Sequence, residues 1–227
     1  MSKLLLWDID GTLLHASGAG VRALLGAMKS CFDVDATAHG INMAGRTDLG
    51  IIAELFGKFL TKPLPRDLDR YLDEYHRILL REIKNGDTRL YPGVESALDE
   101  ARGRGDIVQA LLTGNTREAA RVKLDHFSLG HFFQFGAFGD ENADRNALAE
   151  LALVRAGEVT GTAFEPERTF VIGDTVRDVA CGAAIGAHTV AVATGAHSAD
   201  QLSACRPTAV LPDLSDAAAL FAVIDGV

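Results

Sequence analysis

The sequence predicts an α/β protein, a doubly wound parallel sheet with an all-helical segment inserted near its start. Three observations predict it. Leu4–Trp7, Ile107–Leu112 and Thr169–Ile172 are short runs that are apolar at nearly every position, as suits strands buried on both faces. From residue 89 onward such runs alternate with stretches of helical periodicity, the pattern of parallel βαβ units. Residues 16–88 carry only helical periodicity and no convincing strand.

The first strand is Leu4-Leu5-Leu6-Trp7, closed by Asp8-Ile9-Asp10 and a Gly11-Thr12 turn. Ser17-Gly18-Ala19-Gly20 is a flexible entry to a helix marked by Val21, Leu24, Leu25 and Met28. Leu49, Ile52, Phe56 and Phe59 mark a second helix, broken by Lys62-Pro63-Leu64-Pro65. Leu68, Leu72, Tyr75, Leu79 and Ile83 stripe a third, ended by Asn85-Gly86-Asp87. After Tyr91-Pro92-Gly93 the prediction is a helix over 94–104, a strand over 107–112, a helix over 115–127 and a short strand over 135–138. A helix over 143–156, a strand over 169–172 and a helix over 177–184 follow. A strand over 188–193, a short helix over 198–204, a strand over 208–211 and a helix over 216–224 complete the chain.

Composition limits the function. With 227 residues, 48% of them hydrophobic, the chain can bury a substantial core, as one large domain or one domain with an insertion. A net charge of −9 argues against a nucleic-acid binder or a protein of anionic membrane surfaces. An anionic substrate must therefore be drawn by a local cation. Cys31, Cys181 and Cys205 have no framework or metal spacing and read as free thiols, each as a buried structural residue. Only four apolar residues follow Lys3, too few for a signal peptide or a membrane span, so the expected location is cytoplasmic.

In doubly wound sheets ligands bind at the carboxyl ends of the strands, and this chain places polar groups there. The first strand stops at Asp8 and Asp10, which an extended chain points to one side. Two carboxylates so placed repel unless a cation lies between them, and Mg²⁺ is the natural candidate, since it takes oxygen ligands and keeps positions for water and phosphate. The strand at 107–112 stops at Thr113-Gly114-Asn115, and the strand at 169–172 at Gly173-Asp174-Thr175-Val176-Arg177-Asp178.

The ordered set of DxDGTLL, an apolar run closing in Thr-Gly-Asn and another closing in GDTxxD resembles the haloacid dehalogenase superfamily. Within it the chain is similar to the phosphoglycolate-phosphatase-like branch, in which a helical cap separates the first two motifs. The resemblance implies a core of residues 1–15 and 89–227 and a cap of residues 16–88. It implies that Asp8 is a nucleophile forming an aspartyl-phosphate, and that Asp10 protonates the leaving alkoxide and then activates water. Asp8, the backbone carbonyl of Asp10 and Asp174 would hold Mg²⁺. Thr113 would donate its hydroxyl to a phosphoryl oxygen, and Gly114 and Asn115 their backbone N–H groups. Asn115 with Glu118 also reads as a helix cap, and Thr175 with Asp178 as a capping box. Asp178 is a site candidate that would orient the basic residue or a metal-bound water.

One motif departs from the family. The lysine usual before the GDTxxD strand is absent, and Arg145, 29 residues before Asp174, is the best match. An arginine supplies a permanent charge and a fork suited to phosphate. Lys123 is the rival, placed well inside its predicted helix, where a solvated surface lysine is expected. Arg46, before the second helix, either meets the leaving alcohol or is an exposed loop residue beside a capping Thr47. Trp7 reads as core, and His15 as structural.

The implied activity is Mg²⁺-dependent hydrolysis of a small phosphorylated metabolite. A sugar-phosphate mutase would share the aspartyl-phosphate. A haloacid dehalogenase would have no use for Asp10 and Asp174. A non-catalytic phosphate-binding protein would not need the full acidic set. Neither the substrate nor the oligomeric state is written in the motifs.

Overall fold

The computed structural model describes residues 2–227. Strand β1 (Lys3–Trp7) lies at the centre of a six-stranded sheet with β4 (Ile107–Leu112) on one side and β6 (Thr169–Gly173) on the other. Beyond β4 lies β5 (Gly136–Ala137), and beyond β6 lie β7 (His188–Val192) and β8 (Ala209–Leu211). Every pairing in this sheet is parallel. Leu6 is paired with Ala110 on one side and Val171 on the other, so the three central strands end level. The chain winds outward in both directions from β1, which opens a crevice at the strands' carboxyl ends.

The alternation of β1 side chains builds both layers. Leu5 and Trp7 face a cluster supplied by α4 (Val94–Gly103), α5 (Arg117–His126) and α9 (Ala217–Asp225). Leu4 and Leu6 face the other layer, built with α6 (Arg145–Thr160) and α7 (Val176–Ala184). All four side chains are fully buried, which explains a strand apolar at consecutive positions. Helix α8 (Ala199–Ala204) covers the β7–β8 edge through Leu202.

The inserted segment forms α1 (Ala19–Phe32), α2 (Asp48–Phe59) and α3 (Pro65–Glu82). Pro65 opens α3, where its missing N–H costs nothing. The three helices pack around Leu24, Met28, Ile52, Leu55, Tyr71 and Leu79. Ala119 and Val122 of α5 join that cluster, so the insertion rests directly on the sheet domain. Its two ends are tied by an antiparallel pair, β2 (Leu14–His15) with β3 (Arg89–Leu90). No helix among the described residues is long and apolar enough to cross a membrane.

The expected strands and helices are present in order, with corrections at their ends. The strand expected at 135–138 shortens to Gly136–Ala137, and the helix expected from 115 begins at Arg117. The three cysteines are free, but only Cys181 is buried; Cys31 is half-buried and Cys205 exposed.

Candidate active site

The crevice holds a cavity of about 500 Å³ between the strand ends and the helical segment, lined by Asp8, Asp10, Asp174 and Arg145 among others. Asp8 continues β1, its backbone N–H bonded to the Ile172 carbonyl at 3.0 Å, which fixes it beside the end of β6. Asp174 follows β6 and is held at 3.2 Å by the Thr12 hydroxyl. Gly11 has φ +85°, and a Cβ there would lie 2.3 Å from an Asp174 oxygen. The glycine thus serves both the turn and the close approach of the two loops.

Carboxylate oxygens of Asp8, Asp174 and Asp178 lie within 4.8 Å of one another, all three residues buried. Burial first, then repulsion from the neighbouring acids, pushes the Asp174 carboxyl above its ordinary range. Burial also raises Asp8, against the pull of Arg145. Such a set of hard oxygen donors, costly to ionise together, fits a divalent cation. Asp178 is the least available of the three. One of its oxygens accepts from Arg145, and the other from the Thr175 backbone N–H at 2.9 Å and hydroxyl at 2.7 Å. The capping box read from the sequence is therefore present, and Asp178 also carries the arginine.

Arg145 stands at the start of α6, almost wholly buried. Its Nη2 is 3.1 Å from Asp8 and is also ion-paired to Asp178, while Nη1 donates to the Gly45 carbonyl at 3.1 Å. One guanidinium therefore joins β1, α7 and the loop before α2. The structure brings it to the same acids that the sequence placed at two strand ends.

Lys123 corrects the expectation of a solvated surface side chain. It is buried, and its Nζ lies 2.5 Å from Asp10 and 2.5 Å from Asn115 Oδ1. The periodicity held the signal: Lys123 follows Ala119 by four residues, and Ala119 is on the inner face of α5. Asn115 is not the helix cap. Thr116 is, accepting from the Ala119 N–H at 3.2 Å. The Asn115 amide instead donates to Asp10 and to the Thr113 hydroxyl, each at 2.8 Å. Asp10 is thereby gripped by an amide and an ammonium, separately from the Asp8–Arg145–Asp178 group. Thr113 Oγ1 accepts two bonds from Asn115, which leaves its proton to give elsewhere.

The loop before α2 closes over this floor. A Cβ on Gly114 would lie 2.1 Å from the Arg46 carbonyl, so only glycine permits that approach. Asp48 N–H donates to the Gly114 carbonyl at 2.7 Å, and the Asp48 carboxylate accepts from Thr116 N–H at 2.8 Å and Tyr75 at 3.2 Å. Burial raises Asp48 to about 6, partly offset by Lys123. The sequence reading missed Asp48 altogether, since it appears only as an acidic residue in a first helical turn. Thr47 caps α2 as expected. Arg46 lines the cavity, but its guanidinium turns to α2, ion-paired with Glu54 and donating to the Gly50 and Asn42 carbonyls at 2.9 and 3.2 Å. Trp7 is core, and His15 lines the cavity beside Tyr91.

The chain is similar to known proteins in sequence and in fold. A family model described as HAD-hydrolase-like matches residues 145–217. A probable phosphatase, IndB, of Dickeya dadantii is 23% identical over 95% of this chain and 92% of its own. A phosphoglycolate phosphatase of Pseudomonas putida is 24% identical over 94% of this chain and 78% of its own. Among solved structures, CbbY of Rhodobacter sphaeroides in complex with phosphate superposes with a TM-score of 0.76 at 20% identity, covering 95% of this chain and 96% of that one.

Proposed function

We propose, for a chain that is a haloacid dehalogenase-like hydrolase, that it is a phosphatase which removes phosphate from a small phosphomonoester through an aspartyl-phosphate on Asp8, with Mg²⁺ as its metal. The observation that carries this reading is the pairing of Asp8 with Arg145 at 3.1 Å beside Asp174, at the ends of two neighbouring strands. An anionic nucleophile attacking an anionic phosphate needs that concentration of positive charge.

Asp8 and Asp174, with the backbone carbonyl of Asp10, are the groups that would hold Mg²⁺. When bound, the ion lowers the repulsion between Asp8 and the phosphoryl oxygens. Arg145 and the Thr113 hydroxyl meet the remaining phosphoryl charge, and Gly114 borders the same place; the Asn115 N–H, expected there from the sequence, is instead given to Thr113 Oγ1. Attack by an Asp8 oxygen forms the new O–P bond as the ester O–P bond breaks. Asp10 gives its proton to the departing alkoxide, then takes one from the water that cleaves the aspartyl-phosphate. Lys123 and Asn115 position Asp10 for both tasks. Residues 16–88 act as a cap that excludes water and must open to release product. That a mutant of Rhodobacter sphaeroides CbbY was also solved with xylulose-(1,5)-bisphosphate supports a small phosphorylated substrate for this chain.

Chelation tests the metal directly. Dialysis against EDTA should remove phosphatase activity to the background rate, and added Mg²⁺ should restore it. Activity undiminished by full chelation, verified by metal analysis, would contradict the assignment of Asp8 and Asp174.

A further inference from the structure

The walls of the cavity beyond the strand ends define the alcohol half of the substrate. Four side chains lining it carry a permanent positive charge, and each is already ion-paired. Arg145 holds Asp8 and Asp178, Lys123 holds Asp10 and Arg46 holds Glu54, while Arg89 meets Asp87 only in a solvent-exposed pair. Asp48 also lines the cavity and has no ion pair among the described residues. Asp48 lies on the side of the helical segment, at the start of α2. The helical segment also lines the cavity with the apolar side chains of Val21, Leu24, Met43 and Ile51.

Resting on the phosphatase reading above, we propose that the substrate is the phosphomonoester of an alcohol that carries no second anionic group and presents an apolar body to the helical segment. A carboxylate or second phosphate on the leaving alcohol would lose water on the side of Asp48, where Arg46 is already held by Glu54 and two backbone carbonyls. An aliphatic or aromatic body would instead bury apolar surface against Val21, Leu24, Met43 and Ile51. Glu54 sets this choice. It occupies the one cationic side chain that the loop before α2 offers to the cavity, so Arg46 is not available to an anion. The inference separates this chain from a phosphoglycolate phosphatase, although two relatives bear that name.

The test is a kcat/KM series with the full-length protein and saturating Mg²⁺. n-Propyl phosphate and benzyl phosphate represent the neutral class, and 2-phosphoglycolate and inorganic pyrophosphate the anionic class. The neutral esters should be preferred by about tenfold or more, which is about 1.4 kcal/mol. Glu54→Gln should release Arg46 and raise kcat/KM for 2-phosphoglycolate by about threefold or more, with n-propyl phosphate unchanged. A wild-type preference for either anionic substrate, or a ratio that Glu54→Gln leaves unmoved, overturns the inference and leaves the phosphatase reading standing. If none of the four is hydrolysed, the phosphatase reading falls and the substrate class falls with it.

Discussion

Asp8→Asn should lower kcat by about 10⁴-fold or more while leaving a folded protein, the scale reached when a covalent nucleophile is lost. The amide has nearly the shape of the carboxylate but cannot form the acyl phosphate. Its effect on stability is the balance of two opposed changes. The variant loses the 3.1 Å ion pair with Arg145. It also loses a buried negative charge that repels Asp174 and Asp178. Arg145 keeps Asp178 as a partner, so no uncompensated cation is left. A melting temperature close to wild type with turnover at background is the expected pair of results. Substantial residual turnover would move the nucleophile away from the end of β1.

Arg145→Met should be damaging in both respects. Methionine can fill much of the space, but Asp8 and Asp178 then remain buried without their cation, and the Gly45 carbonyl loses its donor. Removing one partner of a buried ion pair costs about 3–5 kcal/mol. Loss of a preorganised charge at the transferring group costs about 10²–10³ in kcat. Urea unfolding of the metal-free protein and steady-state kinetics with Mg²⁺ measure the two effects separately. Arg145→Lys should recover part of the stability and less of the rate. One ammonium restores the charge but not the planar fork that reaches Asp8, Asp178 and the loop before α2. Unchanged stability in Arg145→Met would show that the acids are not held by this residue.

The fold was legible because each central strand announces itself twice, by an unbroken apolar run and by the polar residues that end it. Leu4–Trp7 with Asp8, and Thr169–Ile172 with Asp174, needed no long-range information. The insertion was legible from helical stripes uninterrupted by a strand. What was not legible depended on which element packs on which. Lys123 looks like a surface residue until α5 is seen to turn its Ala119 face toward the insertion and the lysine toward Asp10. Asn115 has the composition of a cap, yet Thr116 beside it takes that role and frees the Asn115 amide for Asp10 and Thr113. Arg46 and Glu54 lie eight residues apart, and their pairing follows from the loop folding back on the first turns of α2. Asp48 could not be assigned from sequence because its partners, Tyr75 and Thr116, come from two other helical regions. Cys205 is exposed because α8 is short and buries little besides Leu202.

The aspartyl-phosphate itself is the quantity to observe. The enzyme would be mixed with a phosphomonoester and Mg²⁺, quenched in acid within one turnover, reduced with borohydride and digested for peptide mass spectrometry. An acyl phosphate is converted by this treatment to homoserine, which should appear at position 8 in the wild type and be absent from Asp8→Asn. Homoserine at another aspartate, or rapid hydrolysis of the ester with no modified residue at any time point, would contradict covalent transfer to Asp8.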